Sequence, residues 1–257
     1  DTSLKTDWKH FNDVLGGLQR GCLYIIAARP GDGKTDFALH LAVQLAKRCR
    51  VDYRSLEMTK EQLVHRVLSR VCMINSTRFR DHDLDENAQK RIGIAAARMG
   101  DLHLVMDDTP GVSAGDVEAK LASGKPDVMF IDYLGLMRGD AAGNKPLWQI
   151  TGEITHALKE SARRHGAAVV ALVQLARAAD RQKEPALSDL KGGSDIEADA
   201  DGVIFMRPQK TGEFLSGDDA WPVEAVIAKN RHGGVGRLRF NWQPQYHNYV
   251  PTDNTRR

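Results

Sequence analysis

Hydrophobic and polar positions change period several times along this chain, and each change marks an element. Cys22 to Ala28 is unbroken apolar sequence, the pattern of a strand buried on both faces. Lys34 to Arg48 then carries Phe37, Leu41 and Leu45 at helical spacing. A strand over Val51–Leu56 follows, then a helix over Glu61–Met73 with Leu63, Val67 and Val71 on one stripe. Asn87–Met99 reads as a helix, Leu102–Met106 as a strand and Ala114–Leu121 as a short helix. Next come a strand over Asp127–Asp132, a long helix from Leu147 to His165 and a strand over Ala167–Val173. Beyond them Val203–Met206, Val223–Ala228 and Arg237–Trp242 read as strands without long helices between. The pattern predicts an α/β fold, a mainly parallel sheet flanked by helices and extended by antiparallel strands at the C-terminal end. Residues before Gly21 read as a turn-rich lead-in ending in Gly16-Gly17, and Arg138–Pro146 as a mobile loop.

Composition narrows the class. A chain of 257 residues fits one large α/β domain, here taken as residues 1–257, and leaves little room for a second. Cys22, Cys49 and Cys72 are odd in number and form no C-x-x-C pair, so reduced buried thiols are expected rather than a disulfide framework. No apolar run approaches the roughly 18 residues of a membrane span, and Asp1 to Lys5 does not look like a signal peptide. The expectation is a cytoplasmic protein without membrane contact. The start on Asp1 rather than methionine suggests a fragment or processed chain. Net charge is only +2, from 36 Lys+Arg against 34 Asp+Glu. Global charge therefore does not announce a nucleic-acid binder, and any DNA contact would have to come from a local basic cluster or a converging ring of loops.

The candidate chemistry begins at Ala28-Arg29-Pro30-Gly31-Asp32-Gly33-Lys34-Thr35, with Asp36 next, between a buried strand and a helix. Gly31 and Gly33 let backbone N–H groups turn toward phosphate oxygens, and the helix presents its positive end. Lys34 is placed for the β- and γ-phosphates and Thr35 for Mg²⁺, so the expected ligand is ATP with Mg²⁺. The competing reading is an ordinary Gly-rich turn. Asp132 closes a buried strand and is a candidate for the Mg²⁺ shell, or else caps a turn. Glu57 follows the second strand at the edge where open α/β sheets bind ligands, as general base or surface carboxylate. Gln174 ends another strand at that edge, as γ-phosphate sensor or simple strand-end polar group.

Taken together these residues resemble the ATPase domain of DnaB-type replicative DNA helicases, ring-forming members of the RecA-like P-loop group. Seven motifs match in the family's order: residues 28–35, Ser55-Leu56-Glu57-Met58, Ile131-Asp132-Tyr133-Leu134, and Leu172-Val173-Gln174-Leu175-Ala176-Arg177. Leu187-Ser188-Asp189-Leu190-Lys191, Ile196–Asp201 and Lys229-Asn230-Arg231-His232-Gly233 complete the series, and the resemblance extends to Phe240–Tyr249. It implies Glu57 as base, Asp132 as the Mg²⁺ carboxylate, Gln174 as sensor and Arg66 near bound nucleotide. Lys229 and Arg231 resemble the pair that reaches a neighbouring subunit's site, an arginine finger in trans. Lys191-Gly192-Gly193-Ser194 falls where the family places a loop gripping the single-strand backbone; a flexible surface loop is the alternative. Arg138 and Lys145 flank a second loop and are further candidates to face DNA. The departures are Lys191 for the usual arginine, Gly-Gly-Ser for a more polar sequence, and no visible N-terminal helical domain or linker helix.

The implied function is an ATP-hydrolysing helicase motor that translocates on single-stranded DNA as a homo-hexameric ring and unwinds duplex in replication. Primase and helicase loader are the partners it suggests. The alternative is a RadA-like recombination or repair ATPase, which shares a Lys-Asn-Arg-x-Gly element and could assemble as a filament. A regulatory ATP switch is a third reading. Among nine histidines there is no H-E-x-x-H, so no zinc protease competes.

Overall fold

Apolar on every residue and buried on every residue, Leu23–Ala28 (β1) occupies the middle of a nine-stranded sheet in the computed structural model. The structure describes residues 3–139, 145–175, 185–190, 193–209 and 220–252. In chain order its helices are α1 (Lys9–Leu15), α2 (Lys34–Ala46), α3 (Lys60–Cys72), α4 (Ser76–Arg80), α5 (Glu86–Gly100), α6 (Ala114–Gly124), α7 (Leu147–His165) and α8 (Gly193–Asp199). The remaining strands are β2 (Val51–Ser55), β3 (Leu104–Asp107), β4 (Val128–Asp132), β5 (Ala168–Gln174), β6 (Gly202–Pro208), β7 (Trp221–Asn230), β8 (Gly236–Gln243) and β9 (Asn248–Pro251). The order across the sheet is β3-β2-β4-β5-β1-β6-β7-β8-β9. Pairings from β3 to β6 are parallel, and those from β6 to β9 antiparallel. This is the mixed sheet that the pattern predicts.

Strand alternation divides the core into two layers. Tyr24, Ile26 and Ala28 face one side with α2, where Phe37, Leu41 and Leu45 pack beside Trp8 and Phe11. Leu23, Ile25 and Ala27 face the other side with Val117 and Leu121 of α6 and Leu158 of α7. Helix starts follow local chemistry. Thr59 caps α3 reciprocally with Gln62, and Ser113 caps α6 with Asp116.

The structure departs from the pattern in particular places. The turn-rich lead-in contains α1, whose Phe11 and Leu15 are buried and which ends on Gly16 at φ +82°. Its seven residues are too few to establish a period. Val71 is 48% exposed rather than part of the α3 stripe. Spacing of four overshoots a turn by about 40°, so two steps from Leu63 carry Val71 away from the core. Arg70 is buried instead. Of the three cysteines, all free, Cys49 is only partly buried. The expected loop at Arg138–Pro146 lies outside the described residues over 140–144. Lys145 pairs with Glu153 at 2.6 Å.

Candidate functional site

Four adjacent parallel strands, β2, β4, β5 and β1, end side by side, and their ends deliver the site in that order. Glu57 follows β2, Asp132 ends β4, Gln174 ends β5 and the Gly-rich loop follows β1. Ser55 is in register with Asp132, and Ala28 with Gln174. Arg29, Pro30, Gly31, Gly33, Lys34, Thr35, Asp36, Glu57, Arg66 and Gln174 line one cleft with Met58, Trp242, Pro244 and His247. Residues as far apart in sequence as Arg29 and Gln174 are thus brought to one place by sheet order alone, as ligand sites of open α/β sheets require.

The loop's glycines have structural reasons. Gly31 and Gly33 both take φ +80°, a region that L side chains rarely adopt. A Cβ on Gly33 would also stand 2.9 Å from the Trp242 ring and against the Tyr249 hydroxyl. The loop is therefore braced from behind by β8 and β9, where Trp242 and Tyr249 stack at 5.9 Å.

Lys34 opens α2 and is 7% exposed. Its ammonium stands 3.5 Å from Asp132 Oδ1 and 4.7 Å from the centre of the Tyr133 ring. Burial pulls the Lys34 pKa down, with Asp132 and Glu57 opposing. A bound phosphate would act in the same direction as those carboxylates. Asp132 is 1% exposed and accepts from the Tyr53 hydroxyl at 3.0 Å. A buried carboxylate with one short neutral donor and one long cationic contact retains capacity for a cation. Asp132 and the Thr35 hydroxyl are hard oxygen donors, the ligand type that suits Mg²⁺.

Asp36 has a different task. Only 2% exposed, it accepts from Arg66 Nη1 at 2.6 Å and Trp242 Nε1 at 3.1 Å, with His247 Nδ1 3.1 Å away. It fixes Arg66 beside the cleft and ties α2 to α3 and to the β8–β9 connection. Burial alone would raise the Asp36 carboxyl, but His247 and Arg66 outweigh it and hold the pKa below the ordinary value. Trp242, His247 and Tyr53 escaped sequence reading because their partners are remote. The only sequence clue was that a Tyr or Trp in an apolar strand needs a partner for its polar atom.

Two predicted residues lie elsewhere. Gly202 at the start of β6 pairs with Tyr24 on one side and with Asn230 on the other. Lys229 and Arg231 therefore sit at the opposite edge from the Gly-rich loop. The six residues of β1 intervene, about 20 Å at about 3.3 Å per residue. There Lys229 donates to the Glu197 carbonyl, and Arg231 to the Ala198 carbonyl at 2.6 Å with Asp201 at 3.5 Å. In the segment expected to contact DNA, Gly193 and Ser194 open α8 rather than forming a loop, while Lys191 and Gly192 lie outside the described residues. Arg138 is exposed and 4.0 Å from Asp116.

A Gly-rich strand-to-helix loop carrying Lys-Thr, with a strand-end aspartate and glutamate beside it, defines a P-loop nucleotide-hydrolase domain of RecA-like fold. The family model for the DnaB-like helicase C terminal domain matches residues 3–251, and the chain belongs to that family. The replicative DNA helicase DnaC of Bacillus subtilis (strain 168) is 33% identical over 257 residues, covering 97% of this chain and 56% of the relative. The replicative DNA helicase DnaB of Geobacillus stearothermophilus is 32% identical over 259 residues, with the same two coverages. The chain thus spans little more than half the length of these relatives. A solved ATPase domain superposes with a TM-score of 0.89 at 28% identity, covering 97% of this chain and 91% of that one. A DnaB-like replicative helicase, in a structure concerned with its interactions with primase, gives 0.89 at 28%, covering 97% and 62%. Of the readings the sequence left open, these relatives support the helicase and not the recombination ATPase. Among the described residues no helix is long and apolar enough to cross a membrane.

Proposed function

We propose that this domain is the ATP-hydrolysing motor of a replicative DNA helicase, acting as a homo-hexameric ring around single-stranded DNA. The observation that carries this reading is the division of the machinery between two edges of one sheet. Glu57, Gln174 and Lys34 line a cleft at one edge, with Asp132 buried 3.5 Å behind Lys34, while Lys229 and Arg231 stand about 20 Å away at the other. A cation so placed reaches a triphosphate only across an interface between subunits. A head-to-tail interface of that kind closes into a ring or continues as a filament.

In this mechanism the loop backbone and Lys34 hold the phosphates, and Arg66, fixed by Asp36, lies beside them. Thr35 and Asp132 would hold Mg²⁺, which supplies charge neutralisation at the β- and γ-phosphates when bound. Glu57 orients the attacking water and takes its proton, and Gln174 hydrogen-bonds the γ-phosphate. Arg231 of the neighbouring subunit stabilises charge as the phosphoryl group leaves, with Lys229 beside it. Lys191 to Ser194 contact the DNA backbone. The chain acts as one ATPase domain, and primase and a helicase loader are the partners proposed for the whole protein.

The test is ATP turnover with and without single-stranded DNA across a range of protein concentrations, followed by strand displacement. Turnover that rises with both DNA and concentration, with displacement of a paired strand, is expected. Turnover indifferent to both would instead identify a regulatory ATPase.

A further inference from the structure

At the sheet edge away from the phosphate cleft, three side chains from distant parts of the sequence converge. Cys22 precedes β1, Asp201 precedes β6 and His232 follows β7. A sulfur, a carboxylate oxygen and a ring nitrogen from these residues all lie within 4.8 Å of one another. Cys22 Sγ and His232 Nε2 are 3.3 Å apart. Two such ligands on one tetrahedral Zn²⁺ stand about 3.5 Å apart, given Zn–S near 2.3 Å and Zn–N near 2.0 Å. The cleft chemistry uses none of these three groups.

From this geometry we infer that Cys22, Asp201 and His232 form a binding site for a borderline-soft divalent ion of the Zn²⁺ class. The mixed S, N and O set selects against Mg²⁺, which prefers oxygen in octahedral geometry. Outer contacts already orient the ligands. Asp201 Oδ2 accepts from the Leu23 N–H at 2.7 Å and from Lys159 Nζ at 2.5 Å, which fixes the carboxylate. Its other oxygen lies 3.5 Å from Arg231 Nη1, and the second nitrogen of that guanidinium is held by the Ala198 carbonyl. Cys22 and Asp201 are buried, whereas His232 is exposed, leaving the fourth position open to solvent. Thiolate and carboxylate together offset the added charge beside Lys159 and Arg231.

Sulfur ligates as the thiolate, so the Cys22 proton leaves when the ion binds.

The test is titration of the reduced, nucleotide-free chain with Co²⁺, followed by optical absorption and native mass spectrometry. Expected are a thiolate-to-cobalt charge-transfer band with tetrahedral d–d intensity that saturates at a single ion, and its displacement by Zn²⁺, the tighter binder in the divalent series. Mg²⁺ should not compete. His232→Ala changes an exposed turn residue, so folding should be retained while the band is lost. Cys22→Ser should also lose it, and a Cys49→Ala/Cys72→Ala double variant should keep it. Absence of the band in the unaltered chain overturns the site, as does its survival in either His232→Ala or Cys22→Ser.

Discussion

Lys34 and Asp36 stand two residues apart on the first turn of α2, and their partners direct them to different tasks. Lys34 faces Asp132 across the cleft, so Lys34→Ala should abolish ATP hydrolysis and sharply weaken triphosphate binding. Equilibrium binding and turnover assays check this, and unchanged values would contradict the phosphate assignment. Glu57→Gln should separate the two quantities: binding survives while turnover falls by about 10²–10⁴-fold. Asp36 is held below its ordinary 3.8 because His247 and Arg66 outweigh its burial. A depressed carboxylate contributes stability that is complete above the unfolded value and lost as pH falls through the folded one. Asp36→Asn should therefore flatten the acid limb of the stability profile below about pH 4. His40 gives a second window. Burial first, then Arg70 and Lys47, hold it well below 6.5. The unfolded chain binds this proton as pH drops below 6.5 and the folded chain does not. Stability is thus lost on the acid side by up to about 1.4 kcal/mol per pH unit. Urea midpoints at about pH 7.5 and about pH 5.5, either side of the unfolded histidine value, should converge in His40→Leu.

At the scale of elements, the Gly-rich loop depends on a hairpin near the far end of the chain. Tyr249 stacks on Trp242, meets Phe37 edge-on at 5.2 Å and donates to the Gly33 carbonyl at 3.3 Å. Tyr249→Ala should cost about 3–5 kcal/mol, as large aromatic truncations do, and should also weaken nucleotide binding by loosening the loop. Tyr249→Phe removes only the long hydroxyl contacts and should cost about 0.5–1.5 kcal/mol. Denaturant unfolding with a parallel nucleotide titration checks both. An Ala variant that is destabilised yet binds nucleotide normally would show that the brace does not shape the site. The loop itself was legible in the sequence because glycine spacing and Lys-Thr are local. So were the long strands and helices, whose apolar periods span several turns. The brace was not legible, since β9 has four residues and its effect comes through long-range packing. The Asp36 network was hidden for the same reason: nothing near Asp36 in sequence announces Trp242 or His247. Helices α1, α4 and α8 are too short for a period to emerge.

For the whole molecule, the small net charge predicts that DNA affinity comes from few contacts to phosphates. Binding should be indifferent to base sequence and weaken with salt, each neutralised phosphate adding about −0.7 to the log–log slope. Lys191→Ala should make that slope shallower by about this amount per engaged subunit, and an identical slope would remove Lys191 from the DNA path. The central claim is that hydrolysis is completed across an interface, and mixing two inactive variants tests it most directly. Glu57→Gln lacks the base but keeps the cation, whereas Arg231→Ala lacks the cation but keeps the base. Each alone should be nearly inactive at any concentration, since a trans arginine contributes about 10³–10⁵ in turnover. Mixed rings contain interfaces where an intact Glu57 cleft meets an intact Arg231, so ATP turnover should reappear on mixing and peak near equal proportions. A co-assembled mixture that stays inactive, or a dilute monomer that hydrolyses ATP at full rate, would contradict the account.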